Sequence, residues 1–172
     1  MSDAPAITLE RVTSAEEGVT AFLLASAREL FAGRLDPERV PADLVGFAEH
    51  YGLGRGCLLI ARDAAGELLG SIAYRPYDRR FPQLAYPGEG VVEVVRLFVV
   101  PHQRRQGLAR RLFQALLAQA ERDEVERLYL HTHPFLPGAE TFWTAQGFQV
   151  VLRETALPWQ TIHLDRRLTN EP

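Results

Sequence analysis

The chain has 172 residues, 47% hydrophobic and 24% charged, proportions ordinary for a soluble globular protein. Its net charge of −3 gives no global attraction to nucleic acid or to an anionic membrane, so any basic patch has to act locally. The lone Cys57 cannot form an internal disulfide, which fits a reducing compartment, and no stretch is apolar and long enough to span a bilayer. Met1 to Glu10 contains Asp3 and no basic region leading into an apolar one, so it does not read as a signal peptide. A cytoplasmic protein with one domain over residues 1–172 is expected, without repeat, low-complexity tract or linker.

Ile7 to Val12 alternates like a first strand. Ser14 reads as an N-cap, with Glu17 completing a capping box for the helix over Val19 to Phe31. A shorter helix is predicted from Pro41 to His50, since proline suits a first helical turn. "GLGRG" (Gly52 to Gly56) looks like a nucleotide loop, but a strand follows it instead of a helix, so it reads as a connection. "CLLIARD", "AAGE" and "LLGSIAYR" give an antiparallel hairpin. Pro76 to Gly90 holds three prolines and two glycines and is predicted as a loop.

Val91 to Val100 is the strongest strand, apolar on both faces and hence central. In the helix after it, Leu108, Leu112, Leu116 and Ala120 recur every four residues, a stripe that packs on a sheet. "RLYLHTH" reads as a strand, Gly138 to Gln146 as a short helix, and "FQVVLRET" and "QTIHLDRRL" as two final strands. A hairpin followed by strand–helix–strand alternation implies an α/β fold with a mixed central sheet and helices on both faces.

The junction "RRQGLARRL" (Arg104 to Leu112) sets four arginines around Gly107 where the central strand gives way to a helix. Pro101 ends the pairing, Gly107 lets the backbone approach a ligand, and the free N–H groups of a helix start suit a phosphate. A solvated basic turn fits the local pattern equally well. A nucleic-acid patch fits less well, since no aromatics are interleaved and the chain is acidic.

"VVPHQRRQGLARRLFQALL" resembles the acetyl-CoA motif of the GNAT (N-acetyltransferase) superfamily, with Arg104, Gly107 and Ala109 on its defining positions. "AETFWTAQGF" resembles the family's second signature at Ala139, Phe142, Gly147 and Phe148. The resemblance runs from about Ile7 to Leu168 in element order and is specific between Glu93 and Phe148. It implies a mostly antiparallel sheet of six to seven strands whose central strands splay. It also implies acetyl-CoA as co-substrate, its pyrophosphate on the backbone N–H groups of Arg105, Gln106, Gly107, Leu108 and Ala109, with Arg104 and Arg110 beside it. The pantetheine arm would pair along Phe98, Val99 and Val100, and Trp143 would contribute to the cofactor site.

Glu93 is a carboxylate inside a buried strand, a costly placement unless it is paired. Arg96 is the obvious partner, but an odd separation puts the two on opposite faces of a regular strand. Glu93 lies eleven residues before Arg104, where the resembled family often carries its general base; a strand-end carboxylate held by structural hydrogen bonds is the competing reading. Trp143 replaces the family's usual tyrosine acid, and Leu136 replaces a pantetheine-contacting asparagine. His131 and His133 share one face of a strand end without a third metal ligand nearby in sequence, so no metal is expected and the two read as acceptor-side or solvated residues. The function expected is acetyl transfer to a primary amine of a small molecule or peptide, with no nucleic-acid or membrane partner. The alternative is a non-catalytic acyl-CoA-binding or sensor module. The resemblance also allows a homodimer.

Overall fold

The computed structural model describes residues 6–86 and 89–168, so Met1 to Pro5, half of the segment read for a signal peptide, lies outside the described residues. The strand order is β1-β2-β3-β4-β5-β7-β6, a seven-stranded sheet in which β4 and β5 run parallel and the other pairs with a described register run antiparallel. The chain divides into two compact units, Met1–Arg75 with Val95–Gln119, and Pro76–Val94 with Ala120–Pro172.

The first unit carries β1 (Thr8–Arg11), α1 (Glu17–Leu30), α2 (Ala42–Val45), α3 (Phe47–Tyr51), β2 (Cys57–Arg62) and β3 (Leu68–Pro76). It also takes the C-terminal half of β4 (Val91–Val99) and most of α4 (Leu108–Arg122). The expected hairpin is present, β2 against β3 with Cys57 opposite Tyr74. Its core gathers Val12, Val19, Leu23, Phe47, Tyr51, Leu58 and Ile60. The four-residue stripe of α4 is buried as predicted, and a Cβ on Gly70 of β3 would stand 3.1 Å from Leu112 Cδ1, so glycine there sets how closely α4 packs. The GLGRG segment is a connection: a Cβ on Gly56 would lie 2.3 Å from the carbonyl oxygens of both His50 and Tyr74.

Two local readings are corrected. The N-cap of α1 is Glu16, not Ser14, and no side chain caps it, so the capping box does not form. The helix predicted over Pro41 to His50 is two short helices, because Gly46 leaves helical geometry at φ −102° and ψ 52°. A third departure lies in β4, where Arg96 has φ 63°, a left-handed conformation that costs a non-glycine residue of order 1–3 kcal/mol. Three bonds hold it there. Arg96 Nε donates to Asp43 Oδ2 (2.9 Å), Nη2 donates to Oδ1 (2.6 Å), and Ser71 Oγ donates to the Arg96 carbonyl (2.7 Å). Tyr51 adds its hydroxyl to Asp43 Oδ2 at 2.5 Å.

The second unit carries the N-terminal half of β4, β5 (Arg127–Thr132), α5 (Ala139–Ala145), β6 (Gln149–Arg153) and β7 (Ile162–Arg167). The parallel pairing of β4 with β5 covers Val91 to Glu93, opposite Arg127 to Tyr129. β7 lies between β5 and β6, with His131 directly opposite His163 and Tyr129 opposite Asp165. Trp143 of α5 is buried, its ring edge-on to Phe142 at 4.9 Å and to Phe148 at 5.2 Å. Gly147 (φ 89°) turns the chain out of α5, and Arg166 Nη1 donates to the Gln146 carbonyl at that helix end.

Candidate functional site

In the first unit β4 ends in a short 3₁₀ turn, Pro101–Gln103, and the chain then enters α4 through a loop of opened conformation. Arg105 (φ 62°) and Gly107 (φ 83°) are both left-handed, and the first helical bond runs from the Arg111 N–H to the Gly107 carbonyl. The N–H groups of Leu108, Ala109 and Arg110 thus have no carbonyl a turn earlier, and left-handed residues beside a helix start make an anion-binding concavity. A Cβ built on Gly107 meets nothing within 4 Å, so space for a ligand lies over this backbone.

The side chains of this segment divide their work. Arg105, Gln106 and Arg110 are exposed beside the loop, whereas Leu108 is buried and offers only its main chain. Arg104 points back: its Nε donates to the Val99 carbonyl at 2.9 Å, its guanidinium lies 5.4 Å from the Phe98 ring centre, and Glu29 is 3.8 Å away. It anchors the loop to β4. Arg111 donates to the Ile7 carbonyl, tying the helix start to β1. Just past β4, the Val100 N–H is already used by the Leu69 carbonyl at 2.9 Å.

The second unit places a polar layer on one face of its strands. Glu93 is fully buried, and its two oxygens accept from Arg80 Nη1 (2.6 Å) and Nη2 (2.9 Å). Arg80 is aimed by an Asx turn, since Asp78 Oδ1 accepts both its N–H and its Nη1. The expectation that Glu93 and Arg96 stand apart is met: each has its own counter-ion, and Arg80, in the segment predicted as a loop, is the partner of Glu93. Phe81, the next residue, lies 5.4 Å from the His131 ring and 4.9 Å from that of His163. Tyr77 and Tyr86 set their edges on Tyr129 or tilt over it, and Tyr86 donates to Asp165, which also accepts from Arg127 and Gln149.

Three imidazoles meet here under different constraints. His133 is stacked on Phe135 at 5.0 Å, and its Nδ1 lies 3.0 Å from the Trp159 carbonyl. His163 Nδ1 lies 2.6 Å from the Tyr129 hydroxyl, and its Nε2 lies 3.4 Å from Glu154 without a hydrogen bond. His131 Nδ1 is buried with no hydrogen-bond partner. Burial pushes the titration of His131 down to about 4, against an opposing pull from the Glu93 charge, so the ring is neutral near pH 7. Burial also lowers His163 and raises Tyr129, which keeps the imidazole neutral and the phenol protonated in the hydrogen bond that joins them. Among the described residues no three His, Cys, Asp or Glu side chains are grouped to hold a metal ion. No described helix is long and apolar enough to cross a membrane.

Sequence reading singled out Glu93, His131 and His133 but missed Tyr129, His163 and Phe81. The signal was the period-two alternation in "RLYLHT" and "IHLDRR", where Tyr129, His131, His163 and Asp165 fall on one face. Such a face normally reads as solvated; here the 77–86 loop covers it.

The family model for the acetyltransferase (GNAT) family matches residues 23–148. A search of curated protein sequences finds no significant match. Solved structures with a similar fold include a GNAT-family acetyltransferase from Staphylococcus aureus (TM-score 0.73, 17% identity, covering 94% of this chain and 100% of that one). A protein from Salmonella typhimurium assigned as an acetyltransferase and solved with its cofactor acetyl-CoA gives TM-score 0.73 at 17% identity, over 97% and 96% of the two chains. A chimeric spermidine N-acetyltransferase from Vibrio cholerae gives TM-score 0.65 at 17% identity, over 94% and 95%. With the signature loop at the start of α4, the second signature around Phe148 and the family match across most of its length, this chain belongs to the GNAT acetyltransferase family.

Proposed function

We propose that the protein is an acetyl-CoA-dependent N-acetyltransferase acting on a primary amine of a small molecule or peptide. The observation that carries this reading is the loop between β4 and α4: left-handed Arg105 and Gly107, an open space over Gly107, and helix-start N–H groups without an internal partner. A diphosphate fits that donor set, and exposed Arg105 and Arg110 add positive charge beside it. Phe98, Val99 and Val100 lead the strand into the loop and are the segment along which an extended pantetheine arm would pair. The Val100 N–H and the Val99 carbonyl are already engaged within the protein, so the arm would rely on the remaining main-chain groups. Trp143, which the family resemblance puts at the cofactor site, is packed between Phe142 and Phe148 and offers no acid.

Bound acetyl-CoA supplies an activated thioester. The protein's part is to fix the donor, hold the amine in a water-poor place, take up its proton and bind the developing oxyanion with main-chain N–H groups. The thiol leaving group has an ordinary pKa near 8.5, so it departs without a dedicated acid. Glu93 is one candidate for the proton acceptor; to act it would give up a bond to Arg80.

The second reading, a non-catalytic acyl-CoA-binding module, is favoured by that engagement of Glu93 and by the absence of a phenol at Trp143. Release of CoA thiol from acetyl-CoA across a panel of primary amines, including benzylamine, spermidine and glycinamide, separates the two. The enzyme reading expects amine-dependent thiol release; saturable acetyl-CoA binding without turnover would favour the module.

A further inference from the structure

We propose that the 77–86 loop of the second unit is an acid-released strap: protonated His131 takes the place of Arg80 as counter-ion of Glu93, and the loop lifts off the layer it covers. The device lies within the second unit alone and does not depend on acetyl-CoA. Side chains, more than main chain, hold the loop down. Arg80 donates twice to Glu93, Gln83 Nε2 donates to Glu154 Oε1 at 2.6 Å, and Tyr86 donates to Asp165 at 3.0 Å. Phe81 sets its ring against His131 and His163, and Tyr77 sets its own against Tyr129. The main-chain bonds from Leu84 and Tyr86 stay inside the loop, while that from Tyr77 reaches the Val91 carbonyl. Arg79 has φ 61°, a strained conformation for arginine that release of the loop relaxes. A segment held in this way can open locally while the rest of its unit stays folded.

At neutral pH Glu93 keeps the strap shut. The carboxylate is fully buried, and lifting Arg80 would take away the guanidinium that holds both its oxygens. His131 supplies the replacement charge. Tyr129 lies directly opposite Glu93 on β5, and His131, two residues on, falls on the same face. In an imidazolium both nitrogens carry a proton, and in the shut layer His131 Nδ1 is buried with no group to accept from it. Of the charged and titratable groups around the ring, Arg80 of the loop, His133 of β5 and His163 of β7 disfavour its protonation, and Glu93 of β4 favours it. Tyr129 lies beside the ring. Glu154 stands beyond His163, 3.4 Å from its Nε2, and would receive a proton placed there with the loop shut, so His163 does not drive the release.

With the strap shut, burial holds His131 down to about 4. With it lifted, water reaches the ring, Arg80 has left and Glu93 remains, so the ring regains a pKa of about 6.5 or higher. Opening therefore takes up one proton, and acid favours the open form. From these two values the ratio of open to shut rises about thirtyfold between pH 7.5 and pH 5.

The test is amide hydrogen exchange of the full chain at pH 7.5 and pH 5, each rate divided by that of the unstructured amide. pH 5 lies above the ordinary carboxylate range, which leaves the change to the histidines. Protection at Arg80, Leu84 and Tyr86 is expected to lie at least about a hundredfold below that of the β5 and β7 amides, to be insensitive to low urea, and to fall about thirtyfold on acidification. His131→Asn, which cannot take up the proton, is expected to hold that fall to less than about threefold. Loop amides as well protected as those of β5 and β7 overturn the proposal, since the loop would then open only when the whole chain unfolds. A wild-type fall of less than about threefold, or a thirtyfold fall that persists in His131→Asn, overturns it as well. If the variant does not fold, an NMR titration of the wild type decides: loop amide resonances that move with the His131 ring support the strap, and loop resonances unmoved while the ring titrates overturn it.

Discussion

Asp43→Asn keeps the side-chain shape and removes one charge from the Asp43–Arg96 pair, which holds the left-handed kink of β4 in place. Asp43 is 2% exposed and accepts from Arg96 Nε, Arg96 Nη2 and the Tyr51 hydroxyl. Removing one partner of a buried pair costs about 3–5 kcal/mol, because the other charge stays buried without compensation. The Arg96 side chain is 12% exposed, so water relieves a little of that and about 3 kcal/mol is expected. For a chain of this size each kcal/mol lowers Tm by about 2–4 °C, giving a drop of about 6–12 °C at pH 7. Burial opposes the Asp43 charge, but the hydrogen bonds and charge of Arg96, with Tyr51, outweigh it and hold the carboxyl below its ordinary value. A carboxyl lowered in the folded state contributes stability above its unfolded pKa of about 3.9, and that contribution is lost as pH falls through the folded value. Thermal unfolding followed by circular dichroism between pH 3 and 8 reads both effects: a large gap between wild type and variant at neutral pH, narrowing below pH 4. A variant that melts within about 2 °C of wild type at pH 7 would refute the reasoning.

Gly107→Val sets a branched side chain on a φ of 83° and into the open space over the loop, so acetyl-CoA should no longer raise Tm; an undiminished rise in a folded variant would mean that the phosphates bind elsewhere. Gly56→Ala puts a Cβ 2.3 Å from two main-chain oxygens, neither a movable side-chain end, and urea unfolding should register a loss of about 1–3 kcal/mol or more. Because the His131 pKa falls to about 4 in the fold, wild-type stability should decline as pH drops from about 6.5 toward 4, where the unfolded chain binds the proton first. His131→Asn should flatten that part of the pH–stability curve, and an unchanged slope would show that the ring titrates freely.

Much of this architecture was legible because the sequence signals were redundant. The largely apolar run of β4, interrupted by Glu93 and Arg96, the α4 stripe and the β2–β3 hairpin are strong signals, and all three form where expected. The start of α1 was misread because Ser14 and Glu17 satisfy a local rule that the chain does not use, Glu16 opening the helix without a side-chain cap. The break at Gly46 depends on a conformation that a glycine permits but does not require. At the site, the Arg104–Ala109 loop was readable from local residues, whereas the partner of Glu93 was not. Arg80 sits thirteen residues away in an irregular loop, and only the folded Asx turn at Asp78 aims it. The meeting of His163 with His131 was hidden for a similar reason, since it depends on the β5–β7 register.

Acetyl-CoA binding at the β4–α4 loop is the claim on which the other functional statements stand. Titrating acetyl-CoA into nitrogen-15-labelled protein and following the amide resonances tests it residue by residue. Saturable binding with the largest shifts at Arg105, Gln106, Gly107, Leu108 and Ala109 is the expected result. No saturable binding at millimolar ligand, or saturable binding whose shifts leave those five amides unmoved, would contradict it.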